Sequence, residues 1–143
     1  MLYGAPLAGA AIENSMLGAP HALANPLSAH YGMTHGVAVG LMLPHVIRFN
    51  HDSAEETYSE LLEAAGLGCG ADETAAEALA TSVEQMRSDA GLPATLAECD
   101  IQDDLLDQLA AEAAEQWTGK FNPRPVTAET LKGLYQCAAP RRS

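Results

Sequence analysis

Aromatic residues are scarce in this sequence of 143 residues. Phe, Trp and Tyr together account for 5% of the chain, although 48% of it is hydrophobic. A core of this composition must be built from Ala, Leu, Val and Met, which pack well between closely approaching helices. The length suits one core of roughly 100–200 residues. We therefore expect one all-α domain spanning residues 1–143.

Basic residues are also few, with 7 Lys and Arg against 19 Asp and Glu, a formal net charge of -12. A charge of this sign repels nucleic-acid phosphates and anionic membrane surfaces. The sequence also lacks a basic targeting segment and any run near the roughly 18 apolar residues that a membrane span needs. We expect a soluble protein whose partners include neither nucleic acid nor membrane.

Cysteine is present only as Cys69, Cys99 and Cys137, which are far apart and form no CxxC pair. An odd number of separated cysteines favours reduced thiols in a reducing compartment, and the expected location is the cytoplasm. We interpret all three as small apolar filler residues. The sequence also has no HExxH motif and no glycine-rich turn of the kind that binds phosphate groups.

The charged residues divide the chain into two regions. Residues 1–51 contain all five histidines but only Glu13 and Arg48 as acid and base. All remaining acids except Glu129 lie between residues 52 and 115. The first region has a composition suited to burial, whereas the second, residues 52–143, is typical of helices with solvated acidic faces. Any chemistry is therefore expected in residues 1–51.

Hydrophobic periodicity and capping residues predict helices throughout the chain. Ser53 and Glu56 form a capping-box pattern, and Tyr58, Leu61 and Leu62 are predicted to share the buried face of that helix. The predicted helices cover residues 3–17, 20–31, 35–49, 53–65, 72–89 and 103–117, with a last helix that begins after Thr127. Asp72 is the predicted cap of the fifth helix, and Trp117 and Phe121 are predicted packing residues.

The five histidines, at positions 21, 30, 35, 45 and 51, are the chemical anomaly of the sequence. Neutral imidazole is a common ligand of borderline divalent metals, especially in an apolar pocket. From the residues alone, an ordinary surface or hydrogen-bonded core position is the favoured interpretation of each histidine. The neighbouring residues in the sequence favour a surface or supporting role for His30, a structural role for His45 and a solvated turn at His51.

Two ordered motifs around these histidines carry a family resemblance. In residues 18–36, His21 follows a Gly-x-x pattern and His35 stands 14 positions later in a His-Gly pair, and residues 43–46 read Leu-Pro-His-Val. Residues 122–125, Asn-Pro-Arg-Pro, precede the last predicted helix. Together these segments resemble the helical C-terminal domain of the iron-containing (group III) alcohol dehydrogenases, and the resemblance covers nearly the whole chain.

The resemblance implies that His21 and His35 are metal ligands. The family has two further ligands, an aspartate and a histidine on a preceding helix, and a Rossmann-like N-terminal domain that binds the nicotinamide cofactor; neither is present in this sequence. Asn25 stands where many members carry a second histidine, so it is assigned to cofactor binding. Because an amide does not titrate near neutrality, proton relay through Asn25 is not expected, and no residue is assigned as catalytic.

The function implied is that of an oxidoreductase on small alcohols or aldehydes, with hydride transfer to or from NAD or NADP assisted by Fe²⁺ or Zn²⁺. With half of the ligands, the isolated chain is expected to be inactive and to bind metal weakly. The alternative is a helical assembly or interaction domain without catalysis. In either case we expect a homo-oligomer joined through residues 2–49, because the surface facing a cofactor domain is apolar.

Overall fold

The computed structural model describes residues 3–101 and 103–139, and helices are the only regular elements within them. The all-α prediction is therefore confirmed. The α-helices are α1 (Gly4–Ser15), α2 (Ala19–Tyr31), α3 (His35–Phe49), α4 (His51–Ala65), α5 (Ala75–Asp89), α6 (Leu106–Glu115) and α7 (Ala128–Ala138). Short 3-10 turns cover Ala97–Cys99, Asp103–Leu105 and Trp117–Phe121.

The helix boundaries follow the capping chemistry, with two corrections. Thr127 caps α7 as predicted, since its hydroxyl accepts from the Thr130 N–H at 3.2 Å. The capping box predicted at Ser53 is wrong, because α4 begins two residues earlier and Ser53 lies within its first turn. The predicted cap Asp72 is also wrong: Thr74 caps α5 by accepting from the Glu77 N–H.

The main hydrophobic core lies between α2, α3, α6 and α7. Aliphatic side chains fill it, and its largest fully buried member is Tyr135 of α7. The Tyr135 hydroxyl donates to the backbone carbonyl of Leu23 in α2 at 2.6 Å, so the buried phenol has a partner. This core fixes α2 and α3, the two helices that carry His21 and His35.

A second cluster joins α3, α4 and α5 through Ile47, Leu62 and Leu79, among others. The Arg48 guanidinium bridges α3 to α5 by hydrogen bonds to Glu77 at 2.7 Å and to Glu84 at 2.6 Å. These charge-assisted bonds lower the pKa of both carboxyl groups. Leu61 is exposed, contrary to the prediction that it shares the buried face with its neighbour Leu62.

Several apolar side chains lie at the surface. Helix α1 has no buried residue. Trp117 and Phe121, the predicted packing residues, are each half exposed, and their rings meet edge to face at 5.9 Å. The expectation that the cysteines are apolar fillers is wrong for Cys69 and Cys137, which are exposed. In the described ranges, no helix is both long and apolar enough to cross a membrane.

Candidate functional site

The imidazoles of His21 and His35 lie next to each other. His21 is in the first turn of α2, and His35 is the first residue of α3. Their ring centroids are 5.3 Å apart, and their planes are tilted by 46°. The structure thus brings together the two histidines that the resemblance implies as metal ligands, although 14 positions separate them in sequence.

Local sequence explains why these two helices begin where they do. Pro20 occupies the first turn of α2, where a missing N–H costs nothing and its fixed φ suits a helix. Gly32 ends α2 in the left-handed region, with φ of 62°, which glycine adopts at little cost. Only Met33 and Thr34 then remain before α3. This short connection keeps the two helices, and the histidines on them, adjacent.

The surroundings of His21 favour a neutral imidazole. Partial burial lowers the pKa of His21, and the neighbouring His35 lowers it further. A neutral imidazole is the form that binds a metal, so the donor set is chemically suited to Fe²⁺ or Zn²⁺. Across the described residues, no group of three or more His, Cys, Asp or Glu side chains is arranged to hold a metal ion. Within the described residues, the histidine pair therefore offers two candidate metal donors and no third one beside them.

Asn25 lies one helical turn beyond His21 and is half-buried. Its side-chain Nδ2 donates to the Oε1 of Gln116 at 2.8 Å. This bond directs the other end of the Asn25 carboxamide, its Oδ1 acceptor, away from Gln116. Gln116 was not predicted from the sequence, because the two residues are 91 positions apart and a lone glutamine carries no local signal.

The other three histidines have different surroundings. Nε2 of His30 lies 2.7 Å from a Glu112 carboxylate oxygen at the surface. His51 is the first residue of α4, not part of a turn, and its Nδ1 lies 2.8 Å from a Glu55 oxygen in the next helical turn. His45 is half-buried against a cavity of about 460 Å³. Burial, followed by the charge of Arg48, lowers the pKa of the His45 imidazole.

These features define a class of protein: an all-helical domain in which two consecutive helices bring a pair of imidazoles to one surface. The sequence fits a family model described as Fe-containing alcohol dehydrogenase, C-terminal, over residues 1–139. The chain therefore belongs to the Fe-containing alcohol dehydrogenase family and corresponds to its C-terminal domain. The resemblance drawn from the histidine motifs is confirmed.

Known relatives show how much of a family member the chain represents. Lactaldehyde reductase of Escherichia coli K12 is 33% identical over 141 residues, which are 96% of this chain and 37% of that protein. The 1,3-propanediol dehydrogenase of Klebsiella pneumoniae is 30% identical, over 96% of this chain and 36% of its own length. The chain thus spans little more than a third of these relatives.

The fold agrees with solved structures of the family. An alcohol dehydrogenase from Oenococcus oeni matches with a TM-score of 0.86 and 30% identity, over 92% of this chain and 35% of that one. An iron-containing alcohol dehydrogenase from Thermococcus thioreducens matches with a TM-score of 0.81 and 26% identity, over 95% of this chain. The overall helical arrangement is therefore that of the family.

Proposed function

We propose that this chain is the metal-binding C-terminal domain of an oxidoreductase that acts on small alcohols or aldehydes with NAD or NADP. The observation that carries the proposal is the 5.3 Å separation of the His21 and His35 rings at the surface of the family's C-terminal domain. The names of the relatives, a lactaldehyde reductase and a 1,3-propanediol dehydrogenase, support the substrate class.

The roles of the chain's own residues follow from their chemistry. His21 and His35 would hold Fe²⁺ or Zn²⁺ together with ligands that this sequence does not contain. When bound, such a metal polarises the substrate oxygen as a Lewis acid. Because His21 is already biased toward its neutral form, it can bind the metal near neutral pH without first losing a proton.

Asn25 is proposed to contact the cofactor. With its Nδ2 bonded to Gln116, the carboxamide has an oxygen left to accept a hydrogen bond from a bound ligand. Since neither amide titrates near neutral pH, this position orients a ligand and does not transfer protons. No residue of this chain is proposed as catalytic.

Metal titration of the 143-residue chain tests the proposed ligands. We expect weak, readily stripped Zn²⁺ binding, because two imidazoles leave several coordination positions to water. His21→Ala and His35→Ala should each reduce the affinity by roughly tenfold or more, whereas the control His51→Ala should leave it unchanged. Calorimetry measures all four proteins. Binding that is tight and stoichiometric, or unaffected by His21→Ala, would contradict the assignment, and His30 or His45 would then be examined as ligands.

A turnover assay tests the expected inactivity of the chain in isolation. We expect no oxidation of 1,2-propanediol or 1,3-propanediol by the purified 143-residue chain with Fe²⁺ or Zn²⁺ and either nicotinamide cofactor. The reason is that the sequence has neither a glycine-rich pyrophosphate turn nor a complete ligand set. The readout is the absorbance of the reduced nicotinamide cofactor, followed over time at a fixed pH. Cofactor-dependent turnover that disappears on chelation would overturn this expectation.

A second candidate function, self-assembly without catalysis, is favoured by the exposed apolar helix α1. None of its residues is buried, and its Leu7 and Ile12 side chains face solvent. We propose that a second copy of this chain covers α1 to form a homodimer, with residues 2–49 as the interface region; Leu2 itself lies outside the described residues. We also propose a cytoplasmic location, which suits the three free thiols.

A further inference from the structure

We propose that Asn122 is a positioning residue for the pair of imidazoles, His21 and His35. The inference concerns how the pair is held in place, and it rests on the proposed function only in taking these imidazoles as the site. Asn122 belongs to the Asn-Pro-Arg-Pro segment. That segment contributes to the family resemblance, but the resemblance implies no role for its residues. The structure places its carboxamide against the first turn of α2.

The first turn of α2 lacks a capping side chain of its own. The residue at the cap position is Gly18, and no side-chain hydrogen bond closes this helix end locally. The N–H of Ala19 is in the first turn, where N–H groups have no acceptor within the helix. It donates instead to the Oδ1 of Asn122 at 3.3 Å, although the two residues are 103 positions apart in sequence. Since His21 is two residues further along the same turn, the Asn122 side chain helps fix where the His21 backbone lies.

Asn122 is itself rigidly held. Its Nδ2 donates to the Oδ1 of Asn50 at 2.7 Å and to the carbonyl of Arg124 at 2.7 Å, while Asn50 Nδ2 donates back to Asn122 Oδ1 at 3.2 Å. Both carboxamides are buried, with exposures of 4% for Asn50 and 8% for Asn122. A buried amide pair with its polar atoms bonded has little freedom to move.

The amide pair links the two helices that carry the histidines. Asn50 directly follows α3, the helix that His35 begins, and Asn122 contacts the start of α2, where His21 lies. One buried hydrogen-bond cluster therefore sets the start of α2 relative to the end of α3. Gly18 permits this contact, because a Cβ at that position would lie 3.3 Å from Asn122 Oδ1.

The test compares the imidazole pair in three variants of the 143-residue chain, without metal. The readout is the NMR cross-peak between the ring protons of His21 and His35, which reports their separation directly. Asn122→Ala removes the acceptor for Ala19 and should weaken the cross-peak at least twofold. Asn122→Asp keeps the acceptor for the Ala19 N–H but loses both Nδ2 donations, to Asn50 and Arg124, and buries a carboxylate, so it should weaken the cross-peak as well.

Tyr135→Phe is the matched control. It removes a different buried hydrogen bond to α2, the one to the Leu23 carbonyl, and so should lower the thermal midpoint while leaving the cross-peak unchanged. If Asn122→Ala folds and its cross-peak equals that of the unchanged chain, the proposal is overturned. Loss of the cross-peak in Tyr135→Phe would equally overturn it, because the effect would then be general destabilisation.

A further variant keeps the proposal testable if Asn122→Ala fails to fold. Gly18→Ala places a methyl against Asn122 Oδ1 and should also weaken the cross-peak, so an unchanged cross-peak in that variant contradicts the proposal. Zn²⁺ titration supplies a second measurement, in which Asn122→Ala should bind roughly 10–100-fold more weakly than Tyr135→Phe. The cross-peak is recorded without metal, so the two proposals can fail separately. A chain that binds no Zn²⁺ contradicts the proposed function, whereas the cross-peak still decides whether Asn122 positions the two imidazoles.

Discussion

Replacing Leu7 and Ile12 together by glutamate is expected to convert a dimer of the 143-residue chain into a monomer. The two side chains are 70% and 42% exposed on α1, a helix without a buried residue. Exposed apolar surface of this kind usually becomes an interface. Glutamates buried within that interface would lose hydration without gaining partners, so association should become strongly unfavourable.

The charge distribution supports contact between two α1 helices. With a formal net charge of -12, two copies repel each other through their acidic helices, whereas α1 has Glu13 as its one charged residue. Gly4, Ala5, Ala8 and Gly9 leave little bulk between two closely approaching helix backbones. A closed two-fold arrangement joins one α1 to another and leaves no face open for further growth.

Light scattering at tens of micromolar measures this outcome. Met86→Glu is the matched control, because Met86 is an exposed apolar residue on α5, outside the proposed interface, and its replacement should leave the dimer intact. Circular dichroism should show equal helix content in all forms, since glutamate is a good helix former. A monomeric unchanged chain, or a dimer that persists in the Leu7→Glu, Ile12→Glu variant, would contradict the proposed interface.

Leu62→Ala and Leu61→Ala are expected to differ sharply in their effect on stability, although the two residues are neighbours in α4. Leu62 is 3% exposed and packs in the cluster between α3, α4 and α5, whereas Leu61 is 50% exposed. Removing the buried side chain leaves a cavity and should lower the free energy of unfolding by about 2–5 kcal/mol. Removing the exposed one should change it by less than about 0.5 kcal/mol.

Urea unfolding followed by circular dichroism measures both variants. A loss of about 2–5 kcal/mol is large against the roughly 5–15 kcal/mol by which most domains are stable. The identical substitution at adjacent positions cancels the effect of helix propensity, so burial is the variable that remains. If both variants lose the same free energy of unfolding, the observation that Leu62 is buried against α5 and Leu61 is not would be contradicted.

The proposed site depends both on contacts between neighbouring segments of the chain and on contacts between residues far apart in sequence. The two histidines meet because a short connection ends α2 and begins α3, and the signals for it, Gly32 and the helix periodicity, are local. The hydrogen bonds of Asn25 to Gln116 and of Ala19 to Asn122 cross 91 and 103 positions. Such partners follow from the packing of α2 against α6 and the 3-10 turn that begins at Trp117, which no local pattern encodes.

The sequence by itself determined the all-α class, the bounds of α3, those of α2 to within one residue, and the family to which the chain belongs. These conclusions follow from local chemistry: the scarcity of aromatic residues, the hydrophobic periodicity of the helices, the cap at Thr127 and the spacing of His21 and His35. Where prediction failed locally, at Ser53 and Asp72, a helix had more than one chemically reasonable start, and packing selected another.

Only the tertiary structure decided which side chains are buried and which polar groups meet. Periodicity assigned Leu61 and Leu62 to one face, but contact with α5 covers only Leu62. Trp117 and Phe121 pack against each other, and each stays half exposed because no element covers the pair fully. Burial and long-range hydrogen bonds depend on how helices are arranged in space, and a side chain's own chemistry does not specify that arrangement.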